Sequence, residues 1–368
     1  MSSAIRIRFA TTDDEDAILD FLNEHWKRGH IFVTNPELMR WQHQSSVNPA
    51  NQLSFVIAES DEQKKPAGLV ALLGFIPFQR FDPESDWSEL SLAIWKVRDD
   101  ANAPGLGFQL LRYLERELEP TMICAIGISE IVKPIYRALG YQLGTLNHVA
   151  LFPEKKNTPT LISKGVPNNA WSCSPDDSSL VLQALPASDP PNPSTIEALD
   201  RLGGYGLPRK SYKYIQQRYI NHPWYDYHFR LAFVDNTPEL LIVWRVISVN
   251  GSKVLRVVDL VGDQSILARC APALRQEIQL SGSEYLDIVS QGLDIDSLRE
   301  SGFVDTQQYP SMILPNYFSP FERRNVNIDF AYKKSKDFAD QKVHLFRADS
   351  DQDRPNSPKE LIAGGTKT

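Results

Sequence analysis

Two glycines that precede a predicted helix form a pattern able to bind phosphate. Gly105 and Gly107 lie in residues 104–111, a turn passing into an amphipathic helix, just after the apolar run of residues 91–98. Glycine lets the backbone approach a ligand, and the first helical turn offers unbonded N–H groups at the positive end of the helix dipole. A pyrophosphate would satisfy both features, although a plain strand-to-helix turn fits the pattern too.

The next segment makes the pattern more specific. Residues 122–128 have the composition of a second buried strand, and a short helix follows that ends in Leu-Gly-Tyr at residues 139–141. In this order the sequence resembles the GNAT superfamily of acyl-CoA N-acyltransferases. That family has a pyrophosphate loop of the form Arg/Gln-x-x-Gly-x-Gly/Ala and a later helix of the form Tyr-x-x-Leu-Gly-Phe. Gly105 and Gly107 match the loop, whereas Asn102 replaces the usual Arg or Gln.

The resemblance implies a co-substrate, acyl-CoA, carrying an acetyl or a short hydroxyacyl group. Tyr136 stands where the family places the tyrosine that protonates the CoA thiolate, although a buried tyrosine can also serve packing alone. Backbone N–H groups near Trp95 and Val97 would hold the thioester and the pantetheine arm. No metal is expected. The residues predicted to bind the carrier are Trp95, Val97, Asn102, Gly105, Leu106, Gly107 and Phe108.

The second half of the chain repeats the element order of the first. Both halves are predicted to contain a hairpin, a strand, a helix, a strand, and a short helix ending in glycine and an aromatic residue. Residues 298–303 echo residues 136–141, which indicates an internal duplication. The second copy has no Gly-x-Gly after its strand at residues 254–261. We therefore expect it to have lost carrier binding and to bind the acceptor.

These patterns predict an α/β (α+β) chain of tandem GNAT-like domains, each a mixed, mostly antiparallel twisted sheet flanked by helices. Residues 5–9 alternate like an edge strand, and proline, serine and asparagine dominate residues 155–193. The predicted parts are a catalytic carrier-binding domain at 1–153, a Pro/Ser-rich linker at 154–195, a degenerate acceptor-binding domain at 196–356 and a disordered tail at 357–368.

Three carboxylates are candidates for handling the attacking amine. Glu89 precedes the strand at the expected cleft and could accept a proton directly or through water, or could be an exposed residue at the strand start. Asp259 and Asp287 lie within apolar strands, where a carboxylate is costly unless it has partners. Asp259 is the catalytic candidate of the pair and Asp287 the substrate-binding one. A satisfied structural network is the alternative for both.

Two further segments, residues 30–42 and 346–356, resemble motifs of two-domain GNAT proteins encoded with bacterial surface-polysaccharide enzymes. That resemblance implies transfer of the acyl group to the amine of a dTDP-linked amino sugar, for O-antigen or capsule. His30 and Trp41 would hydrogen-bond and stack on the acceptor, and Arg354 would contact its phosphate or base, because a guanidinium can bond two oxygens at once.

Other interpretations of the C-terminal motif and of the whole chain remain. Residues 349–353 could form a solvated acidic turn, whereas a calcium loop is disfavoured because Arg354 stands where that loop needs glycine. The acceptor could instead be another small amine. A second class of function is a non-catalytic protein whose two GNAT-like domains only bind acyl-CoA. Asn102 favours this class, and Tyr136 opposes it.

Composition excludes several other classes of protein. The chain has 368 residues, 42% of them hydrophobic, and its net charge of −7 comes without a basic cluster that could neutralise nucleic-acid phosphates. Cys124, Cys173 and Cys270 are too few for a metal site or a disulfide framework. No apolar stretch predicts a membrane span or an export signal. We therefore expect a cytoplasmic enzyme, monomeric or homodimeric, with small-molecule substrates and no nucleic-acid or membrane partner.

Overall fold

The computed structural model describes residues 5–44, 51–60, 68–154, 160–171, 179–185 and 191–357. Cys173, the turn at residues 61–65 and residues 358–368 of the predicted tail lie outside these ranges. Strands are numbered here in chain order. The strands before residue 200 are β1 (Arg6–Thr11), β2 (Gln52–Ser60), β3 (Gly68–Pro77), β4 (Glu89–Val97), β5 (Met122–Ile126), β6 (Gln142–Thr145), β7 (Asn147–Leu151) and β8 (Leu180–Ala184). The strands after it are β9 (His228–Val234), β10 (Thr237–Val249), β11 (Ser252–Gly262), β12 (Tyr285–Gln291), β13 (Val304–Asp305), β14 (Tyr317–Phe318), β15 (Phe321–Glu322), β16 (Asp329–Lys334) and β17 (Leu345–Phe346).

Helices alternate with these strands in both halves of the chain. Short 3-10 or π-helical turns extend several of them, notably at Leu22–Trp26, Gln216–Ile220 and Gln264–Cys270. The α-helices are α1 (Glu15–Phe21), α2 (Ile31–Thr34), α3 (Pro36–His43), α4 (Leu106–Leu118), α5 (Lys133–Ala138), α6 (Pro193–Gly203), α7 (Tyr212–Ile215), α8 (Ala271–Ser281) and α9 (Ile295–Glu300).

Two large sheets share one strand pattern. The first has seven strands in the order β1-β2-β3-β4-β5-β16-β6, and all its neighbours are antiparallel except β4 and β5. The second has the main order β13-β7-β12-β11-β10-β9-β8, in which only β11 and β12 are parallel. Reading the second order backwards matches it to the first, strand for strand. The predicted fold of two repeated, mostly antiparallel units is confirmed.

The halves of the chain exchange one strand each. Strand β7 from the first half lies between β12 and β13 of the second sheet, while β16 from the second half lies between β5 and β6 of the first. Each strand occupies the position that its counterpart would fill in an unexchanged repeat. Sheet membership therefore crosses the predicted boundary at residue 153, and each sheet is complete only with a strand from the other half.

The first sheet is covered on both faces by helices whose apolar residues follow helical spacing. On one face α4 buries Leu106, Leu110, Leu111 and Leu114 against strands β2 to β5. Helices α1 to α3 cover the other face around Phe32. A shared apolar cluster, which includes Phe81, Tyr214, Val258 and Ala348, joins this unit to the second half.

The predicted linker contains more regular structure than its composition suggests. Strand β8 lies inside residues 154–195 and forms the edge of the second sheet beside β9, and α6 begins at Pro193. The carboxylate of buried Glu284 accepts hydrogen bonds from the backbone N–H groups of Leu161, Ile162 and Ser163. The linker therefore contains local structure, and one of its segments, β8, joins the second sheet.

Candidate functional site

Strands β4 and β5 separate at a β-bulge. They pair in parallel only from Glu89 opposite Met122 to Leu92 opposite Ala125. The next residue, Ala93, has no counterpart in β3, because Ile94 pairs with Gly74 and Leu92 pairs with Phe75. A bulge bends its strand and is often found beside active sites. From Ala93 to Val97 the β5 side of β4 therefore has no strand partner, and we call this gap the strand opening.

The first turn of α4 lies beside the strand opening, at the end of β4. Gly105 precedes the helix with φ of +81°, a left-handed conformation that favours glycine. A Cβ on Gly107 would come within 3.1 Å of the Trp95 indole nitrogen, so the close contact there requires glycine. Among the described residues, no oxygen accepts the amide hydrogens of Gly107 and Phe108. These two N–H groups are available to an anion at the positive end of the helix.

Tyr136 and Trp95 face each other across the strand opening. The Tyr136 side chain is 2% exposed, and its ring lies 5.7 Å from that of Trp95 and 5.0 Å from that of Tyr141. Burial raises the pKa of Tyr136, which keeps its hydroxyl protonated at neutral pH. Trp95 was predicted only for its backbone. Its indole joins Gly107 to Tyr136, a contact between distant segments that a single sequence does not reveal.

The predicted carrier-binding residues thus cluster at one end of the first sheet. Leu106 is buried in the core beneath α4, whereas Asn102 and Phe108 are exposed at the surface. Val97 is the last residue of β4 and pairs with Ala71 of β3. The structure brings all seven predicted residues to β4, the following loop and the first turn of α4.

The equivalent opening in the second sheet is filled by the chain itself. Strands β11 and β12 pair only as far as Val257 opposite Ile288, and Val258 forms the bulge that corresponds to Ala93. Beyond this point Ser290 and Gln291 of β12 pair with the two residues of β17. Since β17 takes the place of the separated partner strand, the expected loss of carrier binding in the second copy has a structural basis.

A cavity of about 310 Å³ lies where the two halves meet, and its lining residues come from three segments: Trp26, Lys27, His30 and Ile31; Tyr317, Ser319 and Pro320; and Arg347, Asp351, Gln352, Arg354 and Asn356. We call it the cationic cavity, because Lys27, Arg347 and Arg354 line it against one carboxylate, that of Asp351. The predicted acceptor residues His30 and Arg354 are both in its wall. Arg347 and Lys27 were missed, although Arg347 belongs to the C-terminal motif.

His30 is held neutral in the wall of the cationic cavity. Burial, with the nearby charge of Arg354, lowers its pKa to about 3. Its Nδ1 atom accepts the backbone N–H of Phe32 at 3.3 Å and so caps α2. His30 is therefore a structural cap with one face on the cavity, and it adds no positive charge at neutral pH.

The cationic cavity borders the end of β5. The side-chain amide of Gln352 packs against Gly127, where a Cβ would lie only 2.8 Å from Gln352 Nε2. Gly127 immediately follows β5, and Gln352 also lines the cavity. The cavity and the strand opening therefore adjoin the same strand.

The expectation that Glu89 lies at the cleft is wrong, because Glu89 is not at the strand opening. It is the first residue of β4, buried, and four residues before the bulge, which corresponds to about 13 Å along an extended strand. Its Oε1 atom accepts a 2.6 Å hydrogen bond from Arg209 Nε, and burial raises its pKa. Glu89 anchors the contact between the halves rather than a substrate amine.

Asp259 is occupied by a buried ionic network. It is fully buried, with its Oδ1 atom 2.5 Å from Lys210 Nζ and its Oδ2 atom 2.5 Å from the Tyr219 hydroxyl. Lys210 also forms an ion pair of 2.7 Å with Asp349. Because both carboxylate oxygens are bonded to protein groups, the network interpretation holds for Asp259, and the structure does not support a catalytic role.

Asp287 belongs to a separate network. Its carboxylate is fully buried and accepts hydrogen bonds from Arg256 and from His148, the latter at 2.9 Å. Arg256 holds the pKa of Asp287 well below its usual range despite its burial. Asp287 is therefore a structural ion-pair partner as well. It does not line the cationic cavity.

Trp41 lies next to the acceptor region without lining the cationic cavity. It borders a separate small cavity with Asp349 and Ser350, and its ring contacts Phe81 and His222 at 5.5 and 4.5 Å. Segment 347–354 thus forms a wall of both cavities. Sugar stacking on Trp41 stays a prediction, since its described contacts are with protein rings.

The C-terminal motif is largely buried, so the interpretation as a solvated acidic turn was wrong. Asp353 is fully buried and accepts hydrogen bonds from Arg245 Nε and the Tyr227 hydroxyl, both at 2.7 Å. Despite burial, the charges of Arg245 and Arg218 and the hydrogen bond from Tyr227 lower the pKa of Asp353 to about 2. Over the described part of the chain, no cluster of three His, Cys, Asp or Glu side chains could hold a metal ion.

Solved structures share this architecture at very low sequence identity. A GCN5-related N-acetyltransferase from Anabaena variabilis ATCC 29413 aligns with a TM-score of 0.52 and 12% identity, over 90% of this chain and 73% of that one. A conserved protein from Enterococcus faecalis V583, described as a probable N-acyltransferase, aligns with a TM-score of 0.51 and 9% identity, over 90% and 72% of the two chains. This chain has the GNAT fold. No protein-family model and no curated protein sequence matches it.

Within the described residues, no helix is both long enough and apolar enough to cross a membrane.

Proposed function

We propose that this GNAT-fold chain is an acyl-CoA-dependent N-acyltransferase that binds its carrier in the first sheet. The observation that carries the proposal is the strand opening, with its bulge at Ala93 and a buried, protonated Tyr136 beside it. The amide groups of Gly107 and Phe108 would bond the CoA pyrophosphate. Backbone groups of β4, left without a strand partner, would align the pantetheine arm.

The reaction needs one proton removed and one supplied. The acceptor nitrogen forms a bond to the thioester carbonyl carbon, the carbon–sulfur bond breaks, and the nitrogen loses a proton. Tyr136 would give its hydroxyl proton to the departing thiolate, and its raised pKa favours the protonated form that this step requires. Among the residues that the structure describes, none of the predicted carboxylates is placed to act as base. An amine that binds unprotonated would still lose one proton once the new bond forms, and water or the Tyr136 oxygen that has just given up its own proton could accept it.

We place the acceptor in the cationic cavity and propose a nucleotide-linked amino sugar, of the dTDP series, used for a bacterial surface polysaccharide. The supporting observation is the excess of cationic side chains on a wall next to β5. A sugar amine directed at β5 would leave its diphosphate among Lys27, Arg347 and Arg354. A small amine acceptor without a diphosphate would lack the anionic group that these three cations could bind.

Substitution of Tyr136 by phenylalanine tests the proposed reaction. We expect acetyl-CoA binding within about twofold of wild type and turnover lower by about 10²-fold or more, because only the proton donor is removed. Transfer would be followed as CoA thiol release with a dTDP-linked amino sugar as acceptor. Tyr141→Phe is the matched control, since that ring packs on Tyr136 and bonds Glu115 at 3.1 Å. Equal turnover in Tyr136→Phe and wild type would refute the assignment.

A non-catalytic acyl-CoA-binding protein is the second candidate. Asn102, exposed where the family has a basic residue, and the Trp95 indole beside Tyr136 favour it. This candidate predicts acetyl-CoA binding in calorimetry with no thiol release for any amine acceptor tested. Failure to bind acetyl-CoA at all would exclude both candidates.

A further inference from the structure

Arg347 is a buried cation whose hydrogen-bonding capacity the protein leaves unused. It is 5% exposed, it lines the cationic cavity, and two of its nitrogens, Nε and Nη1, have no acceptor. The remaining contact, from Nη2 to the Gln352 carbonyl, is 3.3 Å long. A buried guanidinium without partners is costly, so its retention in a cavity wall indicates a ligand that completes it.

The carboxylates near Arg347 are already engaged elsewhere. Asp287 bonds Arg256 and His148, while Asp353 bonds Arg245 and Tyr227. Burial and the like charge of Arg256 lower the pKa of Arg347 to about 9, which is the effect expected of an undercompensated cation. The charge of Arg347 is thus available to a group in the cavity.

Arg354 repeats the same arrangement in the same wall. It is 8% exposed, and its Nε atom has no acceptor. Its Nη1 atom donates to the Pro355 carbonyl at 3.2 Å and to Asn356 Oδ1 at 3.3 Å, and its Nη2 atom lies 3.4 Å from Asp351 Oδ2. The guanidinium also lies over the Phe32 ring, 5.1 Å from its centroid. Both guanidinium groups line one wall of the cavity, so an anion bound there would lie close to two positive charges.

The charge of the cavity limits which anion fits. Lys27, Arg347 and Arg354 contribute three positive charges and Asp351 one negative, while His30 is neutral, which leaves about two positive charges. A diphosphate diester carries two negative charges, whereas a carboxylate carries one. A volume of about 310 Å³ lies at the lower end of the range for small-molecule sites.

We propose that Arg347 and Arg354, with Lys27, form the diphosphate-binding site for the acceptor in the cationic cavity. This rests on the proposed function, since it names the group by which the acceptor is held. Arg347 is assigned the central position because it is the more deeply buried of the two and bonds no described carboxylate, whereas Arg354 pairs with Asp351 at 3.4 Å.

The experiment is calorimetric titration of the full chain with inorganic pyrophosphate, with CoA present at saturation to occupy the α4 site. We expect Arg347→Gln and Arg354→Gln each to weaken pyrophosphate binding at least tenfold. Arg28→Gln, which removes the same charge from an exposed neighbour outside the cavity, should stay within twofold. The melting temperature of Arg347→Gln without anion should equal or exceed that of wild type, because an unpaired buried charge is removed.

Competition distinguishes the two sources of a diphosphate. With CoA at saturation, displacement of the bound pyrophosphate by dTDP assigns the site to the acceptor. Pyrophosphate binding that is present without CoA and abolished by saturating CoA overturns that assignment. Acetate binding as tight as pyrophosphate would overturn the diphosphate proposal. The site itself would be overturned if Arg347→Gln and Arg354→Gln each bound pyrophosphate as tightly as wild type. Arg347→Lys takes the place of Arg347→Gln if the glutamine variant does not fold. Acetyl-CoA titration separates the proposals, since the chain can bind pyrophosphate in the cavity without binding acetyl-CoA.

Discussion

Replacing Lys210 by methionine should destabilise the chain by about 3–5 kcal/mol, the usual effect of removing one partner from a buried ion pair. Lys210 is 3% exposed, and its Nζ atom lies 2.5 Å from Asp259 and 2.7 Å from Asp349. The methionine variant would leave two buried carboxylates facing each other without a cation. Part of the charge on Asp259 stays compensated by the Tyr219 hydroxyl.

Equilibrium unfolding in urea at pH 7.5, followed by tryptophan fluorescence, measures this effect. Lys213→Met is the matched control, because Lys213 pairs with Glu84 at the exposed surface, where an ion pair contributes about 0–1 kcal/mol. The double variant Lys210→Met/Asp349→Asn should lose less free energy of unfolding than Lys210→Met alone, since only one buried carboxylate remains unpaired.

The pH dependence provides the decisive test. Burial raises the pKa of Asp349 to about 6, so the folded chain takes up this proton more readily than the unfolded one, whose value is near 4. Without the positive charge of Lys210, the neutral, protonated form of Asp349 is favoured further. The destabilisation of Lys210→Met should therefore shrink between pH 7.5 and pH 5. A loss no larger than that of Lys213→Met, or one that grows at pH 5, would refute the reasoning.

Two further predictions concern carrier stoichiometry and acid stability. Calorimetry should find one acetyl-CoA per chain, because β17 fills the second opening, and two sites per chain would contradict this structure. Burial lowers the pKa of the His43 imidazole from 6.5 to about 3. The contribution of His43 to stability is therefore complete above pH 6.5 and is lost as the pH falls from 6.5 towards 3. Between pH 7 and pH 5 wild type should lose about 2 kcal/mol more than His43→Gln in urea unfolding, and equal losses would disprove the role of His43.

The carrier end of the site could be predicted from sequence because its parts are contiguous. Residues 95–108 contain the end of β4, the glycine turn and the start of α4, each set by local periodicity or by glycine. Tyr136 followed from a short motif on the next helix. What periodicity could not provide was the contact of the Trp95 indole with Gly107, since it depends on how two elements approach in space.

The acceptor end could not be predicted in the same way. Glu89 bonds Arg209, which is 120 residues away, and Asp259 bonds Lys210, 49 residues away. A carboxylate with such a partner and one without look alike in sequence. Arg347 presents the converse case, because its lack of a bonded carboxylate becomes visible only when the neighbouring carboxylates Asp287 and Asp353 have been assigned to other cations.

Strand exchange was invisible for a related reason. The alternation of residues 147–151 identifies a strand but not the sheet that it joins, because either sheet offers the same vacant position between equivalent neighbours. Only the packing of the complete chain decides between them.

One stretch of chain, residues 329–356, connects the three structural features on which function depends. Its first part is β16, which completes the carrier-binding sheet, and its next part is β17, which fills the opening of the second sheet. The following residues, 347–356, then enter the contact between the halves and line the cationic cavity. Because β17 and Arg347 are adjacent in sequence, the strand that fills the second opening also brings the cation proposed to bind the acceptor into the cavity wall.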